Sequence, residues 1–174
     1  MKKTTTYRLV QGAMIAALYA ALTLALAPLS FGQVQIRFAE ALTILAVFSL
    51  TNVYGLALGC LIANGVGFLL GVNILGGFDM LFGTLATLIA AFISYALRNV
   101  RFGRFPVLSA LAPVILNGII IGGELSVLLT NSLAPVPLLT NAAFVAAGEI
   151  IPCIVLGLIL VYTLEKTGLD KKLF

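Results

Sequence analysis

The sequence predicts an all-α integral membrane protein of six transmembrane helices, with both termini in the cytoplasm and one domain spanning residues 1–174. Three observations lead there. The chain is 61% hydrophobic and 9% charged, with a mean hydropathy of +1.17, which is more apolar surface than a water-facing globule of this size can cover. A bilayer core about 30 Å thick takes roughly 20 helical residues per crossing, so 174 residues allow about six crossings joined by short loops. Laid out on six helices, Lys2, Lys3, Arg8, Arg98, Arg101, Arg104, Lys166, Lys171 and Lys172 all fall on one side, and by the positive-inside rule that side is the cytoplasm. Only Arg37 remains outside. The net charge of +4 is thereby read as topology, and no nucleic-acid partner is expected.

The N-terminus has a signal-like layout, but its apolar run from Leu9 to Ala27 exceeds the usual signal core of about 7 to 15 residues and ends at Pro28. A retained first helix, about Leu9 to Pro28, is expected. Ala13, Ala17, Ala21 and Ala25 form one stripe along it, with Gly12, Ala16 and Ala20 beside them. Small residues at every fourth position let a second backbone approach closely. The neighbour is either another helix of this chain or a partner subunit docking on Ala13, Ala17 and Ala21. Helix 2, from Phe38 to about Asn52, has some 14 residues and a reach of roughly 20 Å, too short to cross alone. Its outer end then lies below the membrane surface, and Arg37 and Glu40 sit in a protein-lined hollow.

Helix 3, about Val53 to Val72, carries Gly55, Gly59, Ala63, Gly67 and Gly71 as a packing groove. Asn64 and Asn73 are polar points without an assigned use. Helix 4 opens near Asp79 and runs to about Leu97; Asp79 reads either as an acid favouring the helix dipole or as a site residue. Helix 5, about Phe105 to Leu129, is kinked by Pro113 and carries the polar group Asn117, Glu124 and Ser126 among glycines. Helix 6, about Leu138 to Tyr162, places Glu149 near mid-membrane, and Pro152 denies the Gly148 carbonyl its helical donor. Cys60 and Cys153 read as buried, inert thiols in apolar surroundings.

Placed by depth, Gln33, Gln35, Arg37, Glu40, Asp79 and Glu124 lie in the outer half and Glu149 near the middle, converging on an outward-facing pocket. Ionisable groups inside a membrane cost several kcal/mol unless paired, and by default they mark a substrate or ion path. Arg37 and Glu40 at i, i+3 can neutralise each other, and Glu124 or Glu149 can be protonated and bonded across helices. Four acids share one base, however. The surplus suits a cation or a neutral ligand with several N–H donors. The sequence has no G-x-x-x-x-G-K-S/T phosphate loop, no His, no Cys pair at metal spacing and no G-x-S-x-G. ATP hydrolysis by this chain, a metal site and hydrolase chemistry find no support, and a binding or permeation role is what remains. A stand-alone channel or proton-coupled carrier is the rival within that role.

The runs Val34-Gln-Ile-Arg-Phe-Ala-Glu-Ala-Leu-Thr43, Gly59-Cys-Leu-Ile-Ala-Asn64 and Phe78-Asp-Met-Leu-Phe-Gly-Thr-Leu-Ala-Thr-Leu88, with the pairs Gly123-Glu124 and Gly148-Glu149, resemble the QueT family of queuosine-precursor transporters. Such proteins look like S components of energy-coupling factor (ECF) transporters. The resemblance implies a bacterial plasma-membrane receptor for a small heterocycle, a 7-deazaguanine, or in a related S component another vitamin. It also implies a transmembrane coupling subunit and two ATPase subunits that use ATP, with no cofactor in this chain. The substrate would meet Gln35, Arg37, Glu40, Asp79, Asn117, Glu124 and Glu149. Glu124 or Glu149 would accept two N–H donors from a guanine-type edge, Arg37 or Gln35 would serve the carbonyl edge, and Phe31, Phe38, Phe78 or Phe144 would stack on the ring.

Overall fold

The computed structural model describes residues 4–174, so Lys2 and Lys3 lie outside the described residues. Helix α1 (Thr5–Ala25) starts ahead of the apolar run because the Thr4 side chain accepts the Tyr7 N–H and caps it. A single turn, α2 (Ala27–Ser30), follows with Pro28 in its first positions. The segment predicted as a second α-helix is a 3-10 helix, Phe38–Phe48, of 11 residues. At about 2.0 Å per residue it reaches roughly 22 Å, the span expected of the longer α-helix but made with fewer residues.

Ser49 then caps α3 (Leu50–Leu69), its side chain accepting the Thr51 N–H at 3.1 Å. Next come α4 (Phe78–Ala96) and α5 (Val107–Thr130), the latter with Pro113 inside it and a left-handed Asn131 at its end. Helix α6 (Pro135–Glu149) passes into a π-helical segment, Ile150–Leu156, and then into α7 (Gly157–Thr167). The widened turns enclose Pro152, which has no N–H to give to Gly148 four residues before it, so the departure from α-helix has its cause in the sequence. A short α8 (Leu169–Leu173), which the sequence reading did not anticipate, ends the chain. Among the described residues, five helices are long and apolar enough to cross a membrane, the α6–α7 rod counting as one.

Close backbone contact between α1 and α3 organises one half of the bundle. A Cβ added at Gly55 would stand 2.7 Å from the Gly12 carbonyl oxygen, and one at Gly59 would stand 2.8 Å from that of Ala16. The glycine groove of α3 therefore receives the Gly12, Ala16 and Ala20 stripe of α1. Ala13, Ala17, Ala21 and Ala25 remain exposed. The groove ends at Gly67, where the Phe31 ring fills the space; Gly71 lies beyond the helix with φ +70° and serves the turn.

The 3-10 helix runs through the centre, in contact with α1, α3, α4, α5, α7 and the π segment. Its threefold repeat aligns Arg37, Glu40, Thr43 and Ala46, all of them buried. At one end of the bundle the Tyr7 hydroxyl donates to the carbonyls of Lys172 and Leu173, and Arg101 pairs with Glu165 at 2.7 Å. The start of α1, the α4–α5 connector and the C-terminus therefore meet, and they bring the described basic residues other than Arg37 to a common end.

Candidate functional site

The chain from Phe31 to Arg37 dips into the bundle, leaving Gln35 and Arg37 buried. Gly148 on α6 permits this, because a Cβ there would lie 2.3 Å from the Gln35 carbonyl oxygen. Gln33 reaches Asn141 at 3.3 Å, and Asn141 donates in turn to Ser126 at 3.1 Å, which ties the loop to α6 and α5. The Arg37 guanidinium donates to Asp79 at 3.3 Å and to the Cys60 sulfur at 3.7 Å, and it lies 5.5 Å above the centre of the Phe31 ring. Arg37 thus pairs with Asp79 across the bundle; Glu40, three residues along, is occupied elsewhere.

Asp79 does not cap its helix, since Gly77 holds that position. Its carboxylate takes Arg37 and, at 2.9 Å, Asn73 on the same oxygen, while Asn64 donates to its backbone carbonyl at 2.8 Å. The other oxygen folds back along α4 into the space above Gly83, where an added Cβ would be 2.1 Å away. That overlap is the physical reason for a glycine four residues after the acid.

A second cluster lies deeper. Glu40 accepts from Tyr19 and, at 3.3 Å, from Thr87 on one oxygen, and from Thr43 at 2.6 Å on the other. Glu149 accepts from Asn117 at 3.4 Å and from the Cys153 thiol at 3.2 Å. Ligand atoms of Glu40, Glu149 and Cys153 fall within 4.8 Å of one another, a donor set that could hold a cation. Every carboxylate oxygen in it already accepts from a protein donor, so the cluster is closed on itself. Cys60 and Cys153 are buried and free as expected; Cys60 packs in the main apolar cluster with Leu56 and Ala63, and both thiols also contact polar groups.

Glu124 stands apart from both clusters. It is 8% exposed, neither of its carboxylate oxygens has a partner among the described residues, and it lines a half-open cavity of about 630 Å³ between α4 and α5. The charges of Asp79 and Arg37 act on it. The sequence-predicted residues therefore form three groups: Gln35, Arg37 and Asp79; Glu40, Asn117 and Glu149; and Glu124 alone.

Of the aromatic candidates, Phe31 lies under Arg37, Phe78 is on the cavity wall, and Phe144 is exposed. Tyr19, Asn64, Asn73 and Thr87 complete the polar network and were not singled out as site residues from the sequence. For Tyr19, a polar tip in the inward stripe of α1 was the available signal. Among the described residues, Gln35 Nε2, Arg37 Nε, Asn64 Oδ1 and Asp79 Oδ1 are buried without partners, as are both oxygens of Glu124. The arrangement offers donors, acceptors and apolar walls, which is a binding chemistry.

Comparison with known proteins identifies a transporter family. Residues 9–166 match the family described as QueT transporter. The chain is 37% identical to the queuosine precursor transporter QueT of Lactococcus lactis subsp. cremoris over 83 residues, which is 47% of this chain and 49% of that protein. The alignment thus spans about half the length of the curated relative. No solved structure matches the chain. Five long apolar helices and a family match over most of the sequence make this a multi-pass plasma-membrane protein, and the chain belongs to the QueT transporter family.

Proposed function

We propose that the protein is the substrate-binding S component of an ECF-type, ATP-driven uptake system for a queuosine precursor, a 7-deazaguanine. The observation that carries this is the set of buried, unmatched donors and acceptors around the Arg37–Asp79 pair. A buried polar atom left without a partner costs about 1–3 kcal/mol, and a ligand that supplies the missing partners recovers it. Gln35 Nε2 and Arg37 Nε suit a ring carbonyl, while Asn64 Oδ1 and Asp79 Oδ1 suit N–H groups or the amine of a side arm.

In this reading the 3-10 helix is the sixth crossing of a single-domain bundle. Both termini then lie in the cytoplasm with the basic end, by the positive-inside rule. The exposed stripe Ala13, Ala17 and Ala21 is the face offered to the transmembrane coupling subunit, and the two ATPase subunits supply the energy. Proton-coupled transport is a second reading, favoured by the closeness of Glu40 and Glu149. Uptake into vesicles that lack the partner subunits, abolished by collapsing the proton gradient, would select it.

The test is calorimetric titration of the purified chain in detergent with 7-aminomethyl-7-deazaguanine, riboflavin, thiamine and biotin. Saturable binding of the deazaguanine, lost in Asp79→Asn, is expected. Binding of a vitamin in its place would reassign the substrate, and silence with all four would overturn the receptor reading.

A further inference from the structure

We propose that the pocket formed by Arg104, Tyr162, Glu165 and Lys166 binds the phosphate headgroup of one anionic phospholipid, whose acyl chains follow the outer face of the α6–α7 rod. The inference concerns the membrane around the protein and does not depend on what the protein carries.

The connector from Arg98 to Arg104 packs three arginines into seven residues, and the structure uses them differently. Arg98 turns back on α4, donating to the Tyr95 carbonyl at 2.7 Å with its guanidinium 4.0 Å from the centre of the Tyr95 ring. Arg101 pairs with Glu165 at 2.7 Å and donates to the Arg104 carbonyl at 3.1 Å. Arg104 and Lys166 are exposed, and neither is within ion-pair distance of an acid among the described residues. With Tyr162 and Glu165 they line a half-open cavity of about 320 Å³. Since Arg101 balances the Glu165 carboxylate, Arg104 and Lys166 leave this pocket with an excess of positive charge.

Both cations are held in place. Phe102 and Phe105 exchange backbone hydrogen bonds of 3.0 and 3.2 Å, and Gly103 between them has φ +63°, so the connector is a closed hairpin that fixes the start of the Arg104 side chain. The Lys166 ammonium lies 5.7 Å from the centre of the Tyr162 ring, and Phe105 packs beside that ring at 6.0 Å. Cations placed beforehand lose less freedom when an anion arrives. A guanidinium offers a phosphate two parallel N–H donors, and an ammonium adds a point charge beside it.

The surroundings select a lipid over a free phosphate. Phe102 is exposed at the tip of the hairpin, and Phe105 and Tyr162 flank the cations, the mixture of aromatic and basic residues that settles at headgroup depth. From Tyr162 the exposed side chains Ile159, Val155 and Ile151 continue along the rod, three or four residues apart and therefore on one face. A phospholipid uses the cation pocket and this apolar row together, whereas inorganic phosphate would use only the first. Each lysine or arginine beside an anionic headgroup favours binding by roughly fivefold, so two of them predict a preference of about 10- to 30-fold for an anionic over a zwitterionic lipid.

The experiment counts lipids on the full-length, detergent-purified protein by native mass spectrometry during titration with dioleoylphosphatidylglycerol or dioleoylphosphatidylcholine. One phosphatidylglycerol is expected to bind about 10- to 30-fold more tightly than phosphatidylcholine. Arg104→Gln with Lys166→Gln should reduce that preference to within about threefold. Lys171→Gln with Lys172→Gln removes the same charge from α8, outside the pocket, and should leave the preference intact. Glu165→Gln releases Arg101 and should tighten phosphatidylglycerol binding by roughly fivefold, a gain that a misfolded variant cannot give.

Equal wild-type affinity for the two lipids overturns the proposal. So does a preference that survives the loss of Arg104 and Lys166, or one that falls as far when Lys171 and Lys172 are replaced, which would mark a diffuse field. Displacement of the lipid by inorganic phosphate at equal concentration would assign the pocket to a free anion. Loss of co-purifying protein subunits in the Arg104 and Lys166 variant, with the lipid count unchanged, would assign it to a protein partner.

Discussion

Replacing Arg37 by Met tests whether the buried ion pair at the centre of the site sustains the fold. The closest guanidinium-to-carboxylate distance is 3.3 Å, and the two side chains are 3% and 0% exposed. At an effective dielectric constant near 20, unit charges at that separation attract by about 5 kcal/mol. Taking two ions out of water costs several kcal/mol each, so the intact pair contributes little beyond an apolar pair of the same volume. Removing only one partner is different, because Asp79 is then left buried with Asn73 as its sole side-chain donor. The expected loss is about 3–5 kcal/mol for Arg37→Met and a similar amount for Asp79→Asn. The double variant is expected to recover most of it, so the two losses are strongly non-additive and the coupling energy exceeds either single loss. Reversible unfolding in mixed detergent and dodecyl sulfate micelles reads these differences. Ligand titration of the double variant should stay silent although its stability returns. Stability of Arg37→Met within about 1 kcal/mol of wild type, or strictly additive single effects, would refute the reasoning.

Other consequences can be checked on the same preparations. Gly59→Leu must force α1 away from α3 and should abolish accumulation of folded protein, whereas Ala17→Leu, on the exposed stripe, should unfold within about 0.5 kcal/mol of wild type and lose co-purification with the coupling subunit. Pro152→Ala restores a donor to Gly148 and should convert the π turns towards α-helix, regaining part of the roughly 3 kcal/mol that an interior proline costs while weakening ligand binding through a displaced Glu149; unchanged binding would separate the π turns from the site. Because Cys60 and Cys153 are buried, a cysteine introduced at Leu133 should be the one labelled by an impermeant maleimide on intact cells, and one introduced at Lys172 should label only after permeabilisation. The opposite pattern would invert the topology.

Much of this architecture was legible because it depends on residue size. The Gly55, Gly59 and Gly67 groove announces itself by missing side chains, and the structure places backbone or ring atoms where those side chains would have been. The 3-10 helix was not legible to a search for a 3.6-residue period, although Arg37, Glu40, Thr43 and Ala46 repeat every third residue and are all buried. Partner choice was hidden for a different reason. Spacing along a helix showed that Arg37 could meet Glu40, but the pairing with Asp79 depends on the tertiary path of the loop at Gly148. Asn64 and Asn73 stood out as polar yet lacked a use until α3 and the turn after it were folded against Asp79.

Helix α1 bears two small-residue stripes one residue apart, and one residue corresponds to about 100° of rotation. By shape alone either stripe could nest on Gly55 and Gly59. The polar contacts of α1 decide between them, Gln11 with Asn52 and Tyr19 with Glu40, since a one-step rotation would break both. The azimuth of the exposed stripe is accordingly set from the middle of the bundle. A rearrangement of Glu40, or of Glu149 and Cys153 beside it, would therefore bear on the orientation of the same helix whose outer face is exposed at Ala13, Ala17 and Ala21.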